Sequence, residues 1–462
     1  MLPKNLKQYK IALYGTGRFA RKILSQAEEY QIVALVDQKN ANEVYPFMDL
    51  PVLSIEEAGN VADIVVIGTG EMYWRVIYER ICDCKLPVYL INGMQAKEYF
   101  KPFTKEKLSG ISDSREESEI VSLIIERLNK IGFKEAFQVW QEWGYAIWGP
   151  VVWCFTEWLY RISEEKGVTR LFFLSRDGFL LKKAYDFLLA QTKKTFCSNT
   201  YYVITSRRLT YYAAIENEED FWNYALYYYN GSIGDYLGER FGIVEKNLCS
   251  DAQIVLPRDG SIVRKVLAPY LAMLFANIKE QKKWYKAYLQ SLNADVRCGV
   301  VDTGFTGQIA HSLRALMGIG YMPSFLFYGN KNKDNIHREQ METCFQEKND
   351  SGAQHCSLRR FSFIVEAVFS APCGTAVMMN ESQFKYKPSV DFRKNELIYE
   401  GIKKFMEDAF QKNIAFDKYQ MPLFIDKVFE YMMRYTRLSE DLQADIRWED
   451  EWSGRQYEKR SA

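Results

Sequence analysis

Three short polar turns, each directly after an apolar segment, contain the residue types of this chain that are best suited to chemistry. The turns are Ser175–Gly178, Ser206–Arg208 and Asp302–Gly307. The guanidinium groups of Arg176, Arg207 and Arg208 can each bind phosphate oxygens in a forked geometry. The turns therefore predict a binding site for a phosphorylated ligand.

The third turn adds groups of a different kind. Thr306 and Gly307, at the predicted start of a helix, offer a hydroxyl and backbone N–H donors for a further phosphate. Asp302 can accept hydrogen bonds from sugar hydroxyls or help to hold a hydrated Mg²⁺ ion. Structural alternatives remain: an ion pair between Arg176 and Asp177, and a solvated strand end at Ser206–Arg208.

The apolar segments before these turns are predicted strands. They are RLFFL before Ser175, YYVIT before Ser206 and CGVV before Asp302, with SFLFYGN at 324–330 as a fourth. The carboxyl ends of parallel strands meet at one edge of an α/β sheet, where ligands bind. If the strands share one sheet, the three turns form one site.

A second constellation lies near the start of the chain. Gly15, Gly17 and Ala20 follow the apolar run KIALY and open a helical pattern, and Asp37 ends the next predicted strand. Such glycines let a pyrophosphate approach a helix N-terminus, and such an acid can bind ribose hydroxyls. The segment predicts a site for NAD or a sugar nucleotide, or else a degenerate domain kept for packing or protein contact.

The chain is predicted to be an α/β protein of 462 residues. We expect a small Rossmann-like parallel-sheet domain at 1–102, a polar linker at 103–119 and a larger α/β domain at 120–392. A helical insertion is predicted at about 216–295 and a C-terminal helical region at 393–462. The aromatic run from Trp143 to Trp158 indicates core helices or, alternatively, a platform for stacking a sugar.

The composition of the chain weighs against several classes of function. With 60 basic and 59 acidic residues the net charge is +1, so no global field favours nucleic acid, and any anion site must be local. Nine scattered cysteines and three histidines weigh against a structural zinc site and a hydrolytic triad. No apolar signal region is found, and we expect a cytoplasmic protein with room for peripheral contact at the inner membrane face.

The ordered motifs resemble those of the glycan-specific phosphoribosyltransferases of bacterial polysaccharide synthesis. Val301–Gly307 is similar to the loop that holds the 5-phosphate of phosphoribosyl pyrophosphate (PRPP), although it keeps one acid of the family's pair and one hydroxyl of two. Arg176–Gly178 is similar to the pyrophosphate loop. The resemblance covers 120–380 and implies a phosphoribosyltransferase-like α/β domain with helical insertions.

The resemblance implies an enzyme that transfers 5-phosphoribose from PRPP, with Mg²⁺, to a hydroxyl of a lipid-linked or oligosaccharide glycan. A separate phosphatase would then leave ribofuranose, and glycosyltransferases of polysaccharide assembly would be partners. The implied PRPP-binding residues are Ser175, Arg176, Gly178, Ser206, Arg207, Arg208, Thr303, Gly304, Phe305, Thr306 and Gly307. Asp302 would serve catalysis and the metal, and either Asp177 or Glu366 would accept the proton of the acceptor hydroxyl; Glu366 in its apolar stretch has a structural pairing as its alternative.

Two other functions remain open. The segment FFLSRDG is similar to the first motif of haloacid-dehalogenase phosphatases, but Ser175 stands where their nucleophilic aspartate would be. A serine lacks the carboxylate that forms the phospho-intermediate. The third hypothesis is a non-catalytic scaffold of a polysaccharide assembly complex.

Overall fold

A computed structural model describes most of the chain. The described residues are 2–16, 20, 23–25, 28–37, 43–45, 50–100, 102–196, 199–244, 251–295, 297–329, 337–345, 356–381, 383–388, 391–445, 448–450 and 455–457. They form two compact units, Met1–Phe103 and Thr104–Ala462. Each unit contains a parallel sheet with helices, which confirms the α/β class predicted from the sequence.

Six strands form the sheet of the first unit. They are β1 Lys10–Tyr14, β2 Gln31–Val36, β3 Glu43–Tyr45, β4 Leu50–Leu53, β5 Ile64–Ile67 and β6 Val88–Leu90. Their order is β3-β4-β2-β1-β5-β6, and the pairs are parallel except for β3 with β4. Numbered along the chain, the five parallel strands have the Rossmann order 3-2-1-4-5.

Both faces of this first sheet are covered. The helices of the unit include α1 Ile55–Ala58, α2 Glu71–Ile81 and α3 Ala96–Tyr99. One core cluster contains Trp74 and Ile81 of α2, and the other contains Leu6 and Leu24. Parallel strands buried on both faces have continuous apolar sequences, which explains why all four residues of β5 are apolar and buried.

The second unit is built on five parallel strands. They are β8 Arg170–Leu174, β9 Asn199–Val203, β12 Cys298–Asp302, β13 Ser324–Leu326 and β14 Met341–Thr343, in the order β14-β13-β12-β8-β9. Along the chain this is the doubly wound order 2-1-3-4-5, which reverses between the first and third strands. The strands predicted from the sequence thus share one sheet, and β14 is an addition that was not predicted.

The remaining strands form short two-stranded pairs. They are β7 Ala136–Phe137 with β17 Arg437–Leu438, β10 Tyr229–Ser232 with β11 Gln253–Leu256, β15 Ala376–Asn380 with β16 Gln383–Tyr386, and β18 Trp448–Asp450 with β19 Arg455–Tyr457.

The second unit contains sixteen α-helices in the described part of the chain. They are α4 Lys105–Ser109, α5 Arg115–Lys130, α6 Trp140–Trp143, α7 Gly149–Glu165, α8 Gly178–Thr192, α9 Arg207–Ala214, α10 Glu218–Ala225, α11 Ile233–Phe241, α12 Gly260–Leu267, α13 Leu271–Ser291, α14 Gln308–Met317, α15 Ser357–Arg360, α16 Ser362–Val368, α17 Arg393–Lys412, α18 Gln420–Tyr435 and α19 Glu440–Ala444. The stretch predicted as a linker, 103–119, therefore contains α4 and the start of α5. Side chains of Thr104 and Ser114 cap these two helices.

The aromatic run forms the core of the second unit. Residues 143–159 are all buried, in α6, a π-helical turn at Gly144–Trp148, and α7. The ring of Trp148 packs edge-on against Phe369 at 5.5 Å between centroids, and against Phe429 of α18 at 5.4 Å. The core-helix interpretation is therefore correct, and the C-terminal helices belong to the same compact unit.

The insertion at 216–295 is not purely helical. Its helices α10 to α13 pack with the β10–β11 ribbon around a separate core cluster that includes Phe221, Tyr236 and Leu274. Among the described residues, the continuous stretch Gly260–Ser291 meets the criteria of length and hydropathy for a membrane span. Length and composition alone are weak evidence of a membrane span, because the core helix of a globular protein passes the same test.

Candidate active site

The three predicted turns converge on one pocket at the carboxyl edge of the second sheet, where β8 lies between β9 and β12. The pocket encloses about 950 Å³, part of it open to solvent. The predicted residues that line it are Ser175, Arg176, Asp177, Ser206, Arg207, Arg208, Asp302, Gly304 and Glu366. The β8–β12 junction is the switch point of the sheet, the position at which doubly wound folds bind ligands.

Thr303 joins two carboxylates in this pocket. Its hydroxyl donates to Oδ2 of Asp177, and its backbone N–H donates to Oδ1 of Asp302 at 2.8 Å. Asp177 lies three residues after the end of β8, and Asp302 ends the neighbouring strand β12. The adjacency of the two strands therefore brings together two acids that are 125 positions apart in the chain.

The two carboxylates do not ionise independently. Burial raises the pKa of Asp177, and the charges of Arg176 and Arg207 oppose that shift. The pKa of Asp302 is raised well above its usual range, first by burial and then by the charges of Asp177 and Glu366. Like-charged acids in a shielded site resist full ionisation, so the pair retains affinity for a proton or for a cation.

Arg176 is held in an unusual backbone conformation. Its φ is +72°, in the left-handed region that non-glycine residues seldom adopt. Its backbone N–H donates to the hydroxyl of Tyr202 at 3.0 Å, and its Nη1 donates to the hydroxyl of Thr375 at 3.2 Å. The turn therefore presents the guanidinium of Arg176 toward the opposite wall of the pocket.

The pair Arg207 and Arg208 begins α9, which is capped by Ser206. Nη1 of Arg208 donates to the carbonyl oxygens of Gly238 at 3.2 Å and Glu239 at 3.1 Å. The charge of Arg207 lowers the pKa of Asp177 and of Asp302. The two arginines thus have different surroundings: one is anchored to the insertion, and the other acts electrostatically on the acid pair.

Sequence reasoning missed seven residues that line the pocket: Leu174, Thr205, Glu239, Ile309, Thr375, Val377 and Lys387. Glu239 of the insertion forms an ion pair with Lys387, and Thr375 receives the hydrogen bond from Arg176. Glu239 and Lys387 are 148 positions apart and belong to no motif. Only the fold brings the insertion and the segment after β16 together, so no signal in the sequence could have found them.

Two predicted hydroxyls serve the protein itself. Ser175 Oγ donates to the carbonyl oxygen of Thr205 at 2.5 Å and accepts from the N–H of the same residue at 2.9 Å. Ser206 Oγ accepts from the N–H of Leu209 at 3.0 Å and donates to the carbonyl oxygen of Ala376 at 2.6 Å. Both hydroxyls therefore position the turns around the pocket.

At two of the predicted glycines, another part of the backbone lies so close that a Cβ atom would clash with it. A Cβ at Gly178 would lie 2.8 Å from the carbonyl carbon of Phe173, because α8 begins directly against β8. Gly304 has a φ of +144°, and a Cβ there would lie 2.5 Å from the carbonyl oxygen of Tyr328. No other residue fits either position without a shift of the backbone.

The rest of the third turn lies beside the pocket. Gly307 borders a smaller cavity of about 300 Å³ that shares Asp302 and Gly304 with the pocket. Thr306 Oγ1 accepts from the N–H of Gln308 at 3.4 Å, at the start of α14. The Phe305 ring is covered by the guanidinium of Arg359, 4.3 Å from its centroid.

The acid pair offers a limited metal site. Within the part of the chain that the structure describes, no group of three or more His, Cys, Asp or Glu residues is arranged to hold a metal ion. Mg²⁺ in phosphate-handling sites uses one or two carboxylates, with the substrate's phosphates and water as further ligands. Asp302 and Asp177 fit that requirement, since they are adjacent, shielded and hard oxygen donors.

In the first unit the predicted nucleotide residues follow β1 and β2. The N–H of Gly15 donates to the carbonyl oxygen of Val36 at 2.8 Å, and the hydroxyl of Thr16 donates to Asp37 Oδ2 at 2.6 Å. Ala20 is buried. Gly17 lies outside the described residues.

Fold and site together define the chain as a two-unit α/β protein with a Rossmann-order sheet, a second doubly wound sheet, and an acid–arginine pocket at the switch point of the second. No known family model matches the sequence, and comparison with curated proteins finds no match.

Proposed function

We propose that the second unit transfers 5-phosphoribose from PRPP to a hydroxyl of a glycan during bacterial polysaccharide synthesis. The observation that carries the proposal is the convergence of Arg176, Arg207 and Arg208 on the coupled acids Asp177 and Asp302 at one switch point. Such a pocket suits a donor that has both highly charged phosphates and ribose hydroxyls.

The arginines are assigned to the pyrophosphate. When the C1–O bond of the donor breaks, the electron pair leaves with pyrophosphate, and negative charge builds up there. Guanidinium groups held in advance by Thr375 and by the α11 carbonyls need little reorganisation to stabilise that charge. The smaller cavity at Gly307, which shares four lining residues with the main pocket, is assigned to the 5-phosphate.

Asp302 is assigned to the ribose hydroxyls and to Mg²⁺. A bound Mg²⁺ would supply charge stabilisation on the phosphate oxygens. Asp302 would hold it, and its raised affinity for positive charge supports that role. The protein's own part is to shield the acids and to fix Asp302 through the N–H of Thr303.

Asp177 is assigned as the proton acceptor, in preference to Glu366. As the acceptor oxygen bonds to C1 and pyrophosphate departs, the hydroxyl proton passes to a carboxylate. A carboxylate whose pKa is raised by burial is a better base near neutral pH than an ordinary one, and Asp177 has that property. Glu366 lines the same pocket, and its charge raises the pKa of Asp302.

A phosphatase of the dehalogenase type is less well supported. Ser175, at the position of the nucleophile, lacks a carboxylate, and its hydroxyl both donates to and accepts from the backbone of Thr205. The wider proposal keeps the partners expected from the sequence: a lipid-linked or oligosaccharide acceptor, assembly glycosyltransferases and a separate phosphatase, in the cytoplasm at the inner membrane face.

The proposal is tested by calorimetric titration of PRPP with and without Mg²⁺, with NAD and UDP-glucose as control ligands. We expect saturable, Mg²⁺-dependent binding that Asp302→Asn removes. Asp441→Asn, an exposed aspartate outside the pocket, is the matched control and should bind as the wild type does. No binding by a folded wild-type protein would overturn the proposal and favour the scaffold or the phosphatase.

A further inference from the structure

The proposed reaction assigns no role to one ion pair of the main pocket. Glu239 of α11 and Lys387, which follows β16, both line this pocket, and their side chains form a salt bridge. The described lining also contains three arginines and three other acids, so the formal charges of its basic and acidic residues cancel. A pocket without an excess of positive charge attracts a phosphorylated ligand poorly. The carboxylate of Glu239 is therefore unexpected here unless Lys387 changes its partner when the ligand binds.

The backbone on both sides of this ion pair is held in place. The N–H of Lys387 donates to the carbonyl oxygen of Thr375 at 2.9 Å, and a Cβ at Gly374 would overlap the carbonyl oxygen of Lys387. On the other side, the carbonyl oxygen of Glu239 accepts from Nη1 of Arg208 at 3.1 Å. An exchange of partners can therefore take place by rotation of the two side chains, while the main chain keeps its position.

Lys387 is connected to two of the arginines that are assigned to the pyrophosphate. The hydroxyl of Thr375, whose carbonyl oxygen binds Lys387, accepts from Nη1 of Arg176 at 3.2 Å. Glu239, whose carboxylate pairs with Lys387, binds Arg208 through its carbonyl oxygen. One residue thus lies between the lysine and each arginine, and all three basic residues line the same pocket. A phosphorylated ligand bound by these arginines brings its anionic oxygens to the part of the pocket that Lys387 lines.

The ion pair is weak enough to be exchanged. The side chain of Lys387 keeps 21% of its accessible surface, and that of Glu239 keeps 28%. Water reaches a pair with this exposure and screens it, so the pair contributes little net stability. A diphosphate has more negative charge than a single carboxylate, and its hydrogen bond with an ammonium group has a charge on both partners. A diphosphate ligand therefore competes successfully with Glu239 for the ammonium group.

We propose that Lys387 is a further phosphate-binding residue of the main pocket, and that Glu239 holds its ammonium group until a diphosphate ligand arrives. Binding then exchanges the carboxylate of Glu239 for phosphate oxygens, and water solvates the carboxylate. Glu239 is a positioning residue, because it acts on the ligand through Lys387. The identification of the diphosphate as the pyrophosphate group of PRPP rests on the proposed function, whereas the binding of a diphosphate by Lys387 does not.

The test is calorimetric titration of inorganic pyrophosphate with Mg²⁺ into the full chain at physiological ionic strength, where long-range effects of charge are screened. Lys387→Met should raise the dissociation constant by roughly 10–100-fold, because a charge-assisted hydrogen bond is lost and Glu239 is left to repel the ligand. Glu239→Gln should lower the constant by roughly 2–5-fold, because the lysine no longer has to leave a charged partner.

A double variant that combines Glu239→Gln with Lys387→Met distinguishes direct contact from long-range charge. It removes one positive and one negative charge together, so the net charge of the pocket is unchanged. If the ion pair stays closed in the complex, the double variant should bind pyrophosphate as the wild type does. We expect instead a dissociation constant roughly 3–30-fold above that of the wild type, because the ammonium group that binds the phosphate is missing.

A second ion pair of the insertion supplies the matched control. Glu216 and Lys282 form a salt bridge, and neither is among the described residues that line the pocket. The corresponding variants, Glu216→Gln, Lys282→Met and their combination, should bind pyrophosphate as the wild type does. Thermal unfolding of every variant checks that the fold is retained.

The outcomes distinguish this inference from the proposed function. If Mg²⁺–PRPP binds and the double variant binds pyrophosphate as the wild type does, the role of Lys387 is overturned and the donor site stands. If pyrophosphate binds with the expected variant pattern and PRPP does not bind, the role of Lys387 stands and the transferase fails. Absence of pyrophosphate binding by the folded wild-type protein, or weaker binding by Glu239→Gln, would overturn the inference.

Discussion

The two parallel sheets of this protein present acids at their carboxyl edges with different consequences. In the first unit, Asp37 accepts a hydrogen bond from Thr16 of the neighbouring turn. In the second unit, burial raises the pKa of both Asp177 and Asp302, and the charge of Asp177 raises the pKa of Asp302 further. The comparison teaches that the electrostatics of a parallel-sheet edge depend on burial and on the charges that other elements bring to it.

The largest expected effect on activity comes from replacing the acid at each sheet edge by asparagine, one variant at a time. Asp302→Asn should lower the rate of transfer by roughly 10²–10³-fold or more, since it removes a charge that acts in a shielded site. Asp37→Asn should leave transfer unchanged. The measurement is the rate at which labelled phosphoribose is transferred to the acceptor. If both variants lose the same fraction of this rate, the two sheet edges do not differ in their contribution to transfer.

Asp302→Asn should lower the rate of transfer without lowering the stability of the folded protein. Because the fold raises the pKa of Asp302, its ionised form destabilises the native state at pH 7, and asparagine removes that cost. Asp302→Asn should therefore unfold at the same or a higher temperature than the wild type at pH 7. The difference should shrink as the pH falls and Asp302 becomes protonated, and a large loss of stability at pH 7 would contradict the assigned cause.

The next effect concerns the arginines. Arg207→Ala should raise the dissociation constant of Mg²⁺–PRPP by roughly 10–100-fold, since a hydrogen bond to a charged group contributes about 1.5–3 kcal/mol. Arg115→Ala, which removes a highly exposed arginine of α5, is the matched control and should leave the constant unchanged. Calorimetry measures both dissociation constants. If the two variants have the same constant, Arg207 does not contribute to binding of Mg²⁺–PRPP.

Proton release on binding should also differ between the edges. Since Mg²⁺–PRPP favours the ionised acids, it should lower the raised pKa of Asp302 and release protons near neutral pH. Calorimetry in two buffers with different ionisation enthalpies measures the number of protons. We expect the same release from the wild type and from Asp37→Asn; proton uptake would contradict the sign.

The smallest expected effect is a shift in the rate–pH profile when the hydroxyl of Thr303 is removed. The hydroxyl of Thr303 lowers the pKa of Asp177, so Thr303→Val should raise it further. If ionised Asp177 accepts the proton, the acidic limb of the rate–pH profile should move to higher pH while the fold is retained. The profile of Thr303→Ser, which keeps the hydroxyl, should match the wild type.

Much of the site could be predicted from the sequence because its strands have strong local patterns. Apolar runs that break into charged turns located β8, β9 and β12 and the residues that follow them. Other roles could not be predicted: the hydroxyls of Ser175 and Ser206 bind backbone groups of distant segments, and Glu239 and Lys387 meet only across the folded pocket. Such contacts depend on non-local packing, which leaves no regular spacing in the chain.

The sequence by itself determined the α/β class, the apolar strands and the polar turns, because hydrophobic periodicity and glycine placement act locally. Tertiary structure alone decided that β8 and β12 are neighbours and that Thr303 links their two acids. It also decided that Glu239 of the insertion and Lys387 form an ion pair in the pocket. The physical reason is that the pKa of a carboxylate and the partner of a charged side chain depend on what surrounds them in space, and the order of the chain does not specify those surroundings.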